Sequence, residues 1–80
     1  MLRPTATRVE PQNNYILKLW FSNGEIKLFD VKPYIQGTWF RQLADIEYFQ
    51  TVTVNGYSVE WKDGQDICPD ELYENSIAEI

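Results

Sequence analysis

Histidine is absent from this 80-residue sequence, and cysteine occurs once, at Cys68. Without histidine the chain lacks the most common general base and metal ligand of proteins, so we expect no enzyme and no catalytic residue. A single cysteine excludes a disulfide within the chain and argues against a thiolate zinc site. We interpret Cys68 as a small apolar side chain that fills space beside Pro69, rather than as a reactive thiol.

Long apolar runs are also missing. No run approaches the roughly 18 residues needed to span a bilayer, and the N-terminus lacks the apolar middle of a signal peptide. We therefore expect a cytoplasmic protein that does not bind membranes. Hydrophobic residues make up 44% of the sequence and aromatic residues 15%, which predicts a folded globular chain. This length is typical of one domain, which we assign to residues 1–80.

Basic residues are few, with seven lysines and arginines against twelve acids and a net charge of −5. The excess of acids lies in residues 60–80, where seven acids accompany only Lys62. Nucleic-acid affinity depends on Lys and Arg side chains that displace counterions from phosphates. We therefore expect no direct binding of nucleic acid.

The acids of residues 60–80 raise the alternative of a Ca²⁺ or Mg²⁺ site, and with it a small metal-dependent hydrolase. Their spacing does not follow an EF-hand loop. Asp63 fits a turn, Asp66 fits a strand end, and Asp70 and Glu71 fit the start of a helix. We expect no metal and no cofactor, and an acidic docking surface for a basic partner is the other alternative.

The central feature of the sequence is a pair of alternating apolar runs, from Leu17 to Asp30, joined by Asn23-Gly24. Asn-Gly between such runs predicts a β-hairpin with a two-residue type I′ turn. This turn sets Trp20 opposite Lys27 and Lys18 opposite Phe29.

The same dipeptide at Asn55-Gly56 predicts a second hairpin over residues 50–61. Its pairing sets Val54 opposite Tyr57 and Val52 opposite Val59. Trp61 lies on the same face as these apolar residues, and Thr and Glu side chains lie on the other. This alternation is typical of an antiparallel sheet with one buried face.

Alternation along the first hairpin sorts its side chains onto two faces of the sheet. The predicted core face carries Tyr15, Leu17, Leu19, Phe21, Ile26 and Leu28. The opposite face carries Ile16, Lys18, Trp20, Lys27 and Phe29. Because so short a chain has little material to cover both faces, we expect a protein interface on the second face, and the alternative is that a helix or the second hairpin covers it. The predicted interface residues are Lys18, Trp20, Lys27 and Phe29.

The remaining segments complete an α+β pattern. Residues 5–10 predict a first strand, and Asp30 is expected to cap a short turn. Thr38 is expected to cap a helix that runs to about Ala44, with Trp39, Phe40, Phe49 and Trp61 in the core. Asp45 is expected to cap one further helical turn, and Pro69 to open a C-terminal helix through about Asn75. The predicted fold is an antiparallel sheet of two Asn-Gly hairpins plus a first strand, with one central helix and a short C-terminal helix.

The order and spacing of these pieces resemble a known family. The residues that carry the resemblance are Leu17, Leu19, Phe21, Asn23, Gly24, Glu25, Phe29, Asp30, Val31, Pro33, Phe40, Leu43, Asp45, Phe49, Val52, Val59, Trp61, Gly64, Asp66, Ile67, Pro69, Asp70, Leu72 and Tyr73. The chain resembles the bacterial family called domain of unknown function 2442 over residues 5–73. The resemblance implies a small bacterial α+β domain and points to no catalytic residue. Some relatives resemble one half of a two-gene cassette of toxin–antitoxin type.

These observations favour a non-enzymatic protein-binding module with a protein partner or a second copy of itself. The resemblance adds an antitoxin-like role in a small bacterial two-gene cassette. Two alternatives stay open, a metal-dependent hydrolase that uses the acidic segment and a homodimeric structural protein.

Overall fold

The computed structural model describes residues 4–35, 37, 41–56 and 58–78 and contains two antiparallel sheets. The strands are β1 (Ala6–Gln12), β2 (Ile16–Phe21), β3 (Ile26–Asp30), β4 (Thr53–Val54), β5 (Val59–Glu60) and β6 (Ile77–Ala78). The main sheet has four strands in the order β1-β2-β3-β6, and β4 pairs with β5 in a second sheet. With two helices of the described residues beside these sheets, the predicted α+β class is confirmed, but the prediction of one sheet built from both hairpins is wrong, because the second hairpin forms its own sheet.

The helices are short and begin where the capping residues predict. They are α1 (Ile46–Phe49) and α2 (Pro69–Glu74), and short 3₁₀ turns cover Lys32–Tyr34 and Arg41–Ala44. The Asp45 carboxylate caps α1 by accepting the Glu47 N–H at 3.0 Å, as expected. The Asp30 carboxylate accepts the Lys32 N–H at 2.9 Å and caps the first 3₁₀ turn, also as expected. Residues 38–40, including Thr38, Trp39 and Phe40, lie outside the described residues, and the described end of the predicted helix, Arg41–Ala44, is a 3₁₀ turn.

The turn of the first hairpin is one residue longer than predicted. The Gly24 N–H donates to the Phe21 carbonyl at 2.9 Å, and the Phe21 N–H donates to the Glu25 carbonyl at 2.9 Å. These bonds close a three-residue loop in which Gly24 has a φ of +92° and Asn23 has no positive φ. The loop is therefore a three-residue turn with glycine in the left-handed position, and the predicted type I′ turn is wrong.

This extra residue moves β3 by one position against β2. Leu17 lies opposite Phe29, Lys18 opposite Leu28, and Leu19 opposite Lys27. Since side chains alternate between faces, a slip of one residue exchanges the two faces of β3. The predicted pairs Trp20–Lys27 and Lys18–Phe29 are wrong, and so is the placement of Ile26 and Leu28 on the core face.

The second hairpin shifts by two positions instead of one. Val54 lies opposite Val59, Thr53 lies opposite Glu60, and the Asn55 N–H donates to the Ser58 carbonyl at 3.0 Å. A shift of two residues changes the partners but keeps every side chain on its face. Val59 and Trp61 are accordingly buried, as predicted, although the predicted pairing of Val52 with Val59 is wrong.

The core lies on one face of the main sheet. Its buried members include Leu17, Leu19, Phe21, Phe29, Val31, Leu43, Phe49, Val59, Trp61, Ile67 and Leu72. The Trp61 Nε1–H donates to the Phe49 carbonyl at 2.9 Å, which satisfies the one polar atom of the indole. Trp61 and Phe49 are therefore core residues, as expected. Cys68 is exposed, so its prediction as a buried filler is wrong, because the chain at Cys68 precedes α2 and turns its side chain outward.

Candidate protein-binding face

The face of the main sheet opposite the core carries a mixture of apolar and charged side chains. We call it the outer face, and from the strand register its residues are Arg8, Glu10, Gln12, Ile16, Lys18, Trp20, Ile26, Leu28, Asp30 and Ile77. None of them belongs to the core cluster of the described residues. Ile77 is 66% exposed, whereas Leu17 and Leu19 on the core face are fully buried. The two faces of this sheet are therefore chemically and structurally different.

Trp20 is the centre of the charged part of the outer face. The Arg8 guanidinium lies 4.5 Å from its ring centroid, and the Lys18 ammonium lies 5.2 Å from it. Such contacts attract a cation to the ring face and are worth about 0.5–1 kcal/mol at an exposed site. Arg8 also forms an ion pair with Glu10 at 3.2 Å. These contacts place two cations and one ion pair around a half-buried aromatic ring on the outer face.

The apolar part of the outer face lies toward β3 and β6. Ile16, Leu28 and Ile77 line a shallow depression of about 240 Å³ together with Asp30 and Asn75. Leu28 pairs with Ile77 across the strands, so the apolar surface continues to the edge of the sheet. Aromatic and aliphatic side chains beside arginine are the composition that distinguishes the centre of protein interfaces.

The structure separates the four residues of the predicted interface. Lys18 and Trp20 lie on the outer face, whereas Phe29 is 1% exposed in the core, 5.3 Å from the Tyr34 ring. Lys27 lies on the core side, where its Nζ donates to the Tyr73 carbonyl at 3.1 Å and sits 4.0 Å from the Tyr73 ring centroid. The predicted four-residue surface is therefore wrong for Lys27 and Phe29, because the longer turn places their side chains on the core side of β3.

The Lys27 side chain belongs to a set of contacts that joins α2 to the first hairpin. The Tyr73 hydroxyl donates to Glu25, and the Tyr73 ring meets Phe21 edge-on with centroids 5.1 Å apart. The hydrogen bonds from Tyr73 and then Asn23 hold the pKa of Glu25 below its ordinary value, and the charge of Lys27 adds to the effect. These contacts hold α2 against the core side of the first hairpin.

A polar depression of about 320 Å³ near α1 is the main competitor as a site, and it is lined by Gln42, Asp45, Tyr48, Lys62 and Asp63. Three of its side chains, those of Gln42, Asp45 and Tyr48, already form hydrogen bonds within the fold. The Tyr48 hydroxyl donates to the buried Gln65 at 2.7 Å, and Gln65 donates to Gln42 at 2.9 Å. The Asp45 carboxylate is also in use, as the cap of α1. We therefore assign these polar side chains to the stability of the fold rather than to ligand binding.

The acids of residues 60–80 do not converge in the part of the chain that the structure describes. No three carboxylate, thiol or imidazole groups there lie close enough to hold a metal ion. Asp63 is in a turn, Asp66 pairs with Glu60 in an isolated bridge, and Asp70 and Glu71 are in the first turn of α2. None of the described helices is long and apolar enough to cross a membrane.

The sequence did not predict four of the outer-face residues, which are Arg8, Ile26, Leu28 and Ile77. For β3 the sequence leaves the register open, because Leu28 and Phe29 are both apolar and only the fold buries Phe29 and Val31. The dipeptide Asn-Gly fits both two-residue and three-residue loops, and so does not choose between the registers. For β6, two residues are too few to show a strand pattern.

The fold and the outer face define a small α+β domain whose main sheet is packed on one face and accessible on the other. The chain belongs to the DUF2442 family, described as a protein of unknown function, and the family model matches residues 6–78. No curated protein and no solved structure matches the chain.

Proposed function

We propose that this protein is a non-enzymatic protein-binding module that docks a partner protein on its outer face. The observation that supports this proposal is Trp20, held between the cations of Arg8 and Lys18 and followed by apolar side chains as far as Ile77. Burial of these side chains by a partner would remove apolar surface from water at a favourable free energy of about 25 cal/mol per Å².

The partner that fits this surface is a separate protein with an apolar patch bordered by carboxylates. The carboxylates would meet the two cations beside Trp20, and the apolar patch would cover Leu28 and Ile77. In a symmetric dimer the same patch faces itself, so Arg8 and Lys18 would meet a surface without an excess of acids. Charge complementarity therefore favours a separate partner over a second copy.

The edges of the main sheet support docking on the face rather than addition of a strand. β1 contains Pro11, which has no N–H to donate, and an irregularity between Ala6 and Arg8. β6 at the other edge has only two residues. Proline, bulges and short edge strands all oppose pairing with another chain.

The family resemblance suggests where to find the partner. Relatives that resemble half of a two-gene cassette make the product of a neighbouring gene the first candidate, with this chain in the antitoxin-like role. In that role the outer face would cover a functional surface of the partner. No residue of this chain needs to perform chemistry.

Site-specific photo-cross-linking in the native cell tests this proposal. A photoreactive residue at Leu28 on the outer face is expected to give one adduct of defined size. The same residue at the exposed Asp70, on α2 and away from the outer face, is the matched control and is expected to give none of that adduct.

Three outcomes would contradict the proposal of a separate partner. The first is no adduct from position 28, and the second is the same adduct from positions 28 and 70. The third is an adduct of twice the 9.5 kDa chain mass, which would show a homodimer instead.

A further inference from the structure

The connection between β1 and β2 has an unusual backbone. Asn14 has φ 62° and ψ 31°, and Tyr15 follows with φ 60°. Asparagine tolerates this left-handed region, but a bulky tyrosine rarely adopts it, and glycine is the usual residue there. Strained backbone of this kind persists only where the surrounding structure imposes it, and it is concentrated at functional sites.

Four contacts hold this turn in place. The Tyr15 hydroxyl donates to the Ala44 carbonyl, and the Tyr15 ring meets Phe49 edge-on at 5.4 Å. The Val31 N–H donates to the Tyr15 carbonyl at 2.9 Å, and Lys32 Nζ donates to the Asn14 carbonyl at 2.9 Å. These contacts hold the backbone of the turn and the Tyr15 side chain against the rest of the fold.

These side chains form one wall of a cleft against α1, which we call the turn cleft, with a volume of about 130 Å³. One wall carries Gln12, Asn13, Asn14 and Tyr15, and the other carries Ile46, Phe49 and Gln50. All of the lining side chains are uncharged. Ile46 is 60% exposed, which is unusual for a large apolar residue in a domain with a well-filled core.

The carboxamides of the turn cleft are available to a ligand. The side chains of Asn13, Asn14 and Gln50 make no hydrogen bond to another described residue. A carboxamide offers a donor and an acceptor side by side, which matches the C=O and N–H of a peptide group. Small-molecule sites have volumes of about 300–1,000 Å³, so this smaller cleft suits one residue of a chain.

We infer that the turn cleft binds a neutral peptide segment, with one apolar side chain against Ile46 and the adjoining peptide groups bonded to the carboxamides. This site shares only Gln12 with the outer face and does not depend on the function of that face. The uncharged lining selects against charged ligands, because the cleft provides no opposite charge to compensate their loss of water.

Titration of N-acetyl-leucine N′-methylamide into ¹⁵N-labelled protein tests the inference. Saturable shifts are expected at the amide signals of Asn13, Asn14, Tyr15 and Gln50, with a dissociation constant of about 1 mM. Ile46→Asp should weaken binding by roughly tenfold or more, because the apolar contact is lost. Ile77→Asp, at a similarly exposed isoleucine on the outer face, is the matched control and should bind as the parent does.

The inference is overturned if no saturable shift occurs at these amides, or if Ile46→Asp binds as tightly as Ile77→Asp. Glucose in a parallel titration identifies the ligand class, because both molecules are neutral and form hydrogen bonds. Equal or stronger shifts with glucose would show that the turn cleft does not select a peptide, and the inference would be wrong. Since Ile46 is exposed, Ile46→Asp should stay folded, and its ¹⁵N spectrum verifies this in the same experiment.

Discussion

At the scale of single residues, Gly24 determines the shape of the first hairpin. Its φ of +92° lies in a region that side-chain-bearing residues rarely adopt. A Cβ placed on Gly24 would meet no atom within 4 Å, so any cost of a side chain there comes from the backbone alone. Asn23 supports the same turn by accepting the Glu25 N–H at 3.0 Å.

Gly24→Ala is expected to lower the free energy of unfolding by about 1–2 kcal/mol, the cost of a left-handed residue with a Cβ. Gly24→Asn should lose less, because asparagine tolerates this region. Urea denaturation of the three proteins measures the difference. An alanine variant as stable as the parent would contradict the three-residue turn.

The Glu25 carboxylate joins the first hairpin to α2 through a hydrogen bond that depends on its protonation state. Hydrogen bonds from Tyr73 and Asn23 hold its pKa below the ordinary value of 4.5, while partial loss of water opposes them. A carboxylate with a lowered pKa stabilises the fold above the unfolded pKa, and its contribution disappears as the pH falls through the folded pKa. The Tyr73–Glu25 contact is therefore sensitive to acid.

Glu25→Gln should unfold at a lower urea concentration than the parent at pH 7. The difference should shrink when the pH falls below the folded pKa of Glu25, because the parent carboxylate is then protonated. Glu47→Gln, which changes an exposed acid without side-chain hydrogen bonds to described residues, serves as the control. A difference that persists unchanged at pH 2 would contradict this role of the Glu25 charge.

At the scale of elements, the two hairpins show how turn length controls a sheet. A one-residue difference at Gly24 exchanged the faces of β3, whereas a two-residue difference at the second hairpin left its faces intact. The β2 faces, the caps at Asp30 and Asp45, and the start of α2 follow from local patterns and were predictable. The β3 register depends on which of Leu28 and Phe29 packs against the core, and this is a tertiary choice.

The candidate site was predictable only in part for the same reason. Trp20 and Lys18 follow from the alternation of β2 alone. Ile26 and Leu28 depend on the β3 register, and Ile77 depends on a two-residue strand that pairs across about 50 positions of sequence. The strained Tyr15 has no sequence signal, because contacts with Ala44 and Phe49 impose its conformation.

Substitutions at Leu28 and Phe29 test the β3 register. Phe29→Ala is expected to lower the free energy of unfolding by about 3–5 kcal/mol, since it removes a buried aromatic side chain. Leu28→Ala should cost about 1 kcal/mol, because Leu28 is only half-buried. Chemical denaturation distinguishes the two. A larger loss of stability for Leu28→Ala than for Phe29→Ala would contradict this register and support the two-residue turn.

At the scale of the whole molecule, charge is distributed unequally between the two sides of the main sheet. The elements on the core side, from β5 through α2, carry Glu60, Asp63, Asp66, Asp70, Glu71 and Glu74. Around Trp20 the outer face carries Arg8 and Lys18, and its two acids, Glu10 and Asp30, form ion pairs with Arg8 and Lys32. A partner with acidic residues would therefore be attracted to the outer face and repelled from the core side.

This charge pattern predicts that association with the partner slows as salt is added. Screening reduces the attraction between exposed charges beyond a Debye length of about 8 Å at physiological ionic strength. Association rates of the parent should fall between low and high salt, and Arg8→Gln combined with Lys18→Gln should flatten the dependence. An association rate that rises with salt would contradict an acidic partner.

Binding of the cross-linked partner, once purified, to the Ile77→Asp and Ile46→Asp variants tests the outer face most directly. The two isoleucines are similarly exposed, at 66% and 60%, but only Ile77 lies on the outer face. We predict that Ile77→Asp weakens the complex by about tenfold or more, while Ile46→Asp leaves the binding of this partner within about twofold of the parent. Equal weakening by both variants, or an unchanged dissociation constant for Ile77→Asp, would contradict docking on the outer face.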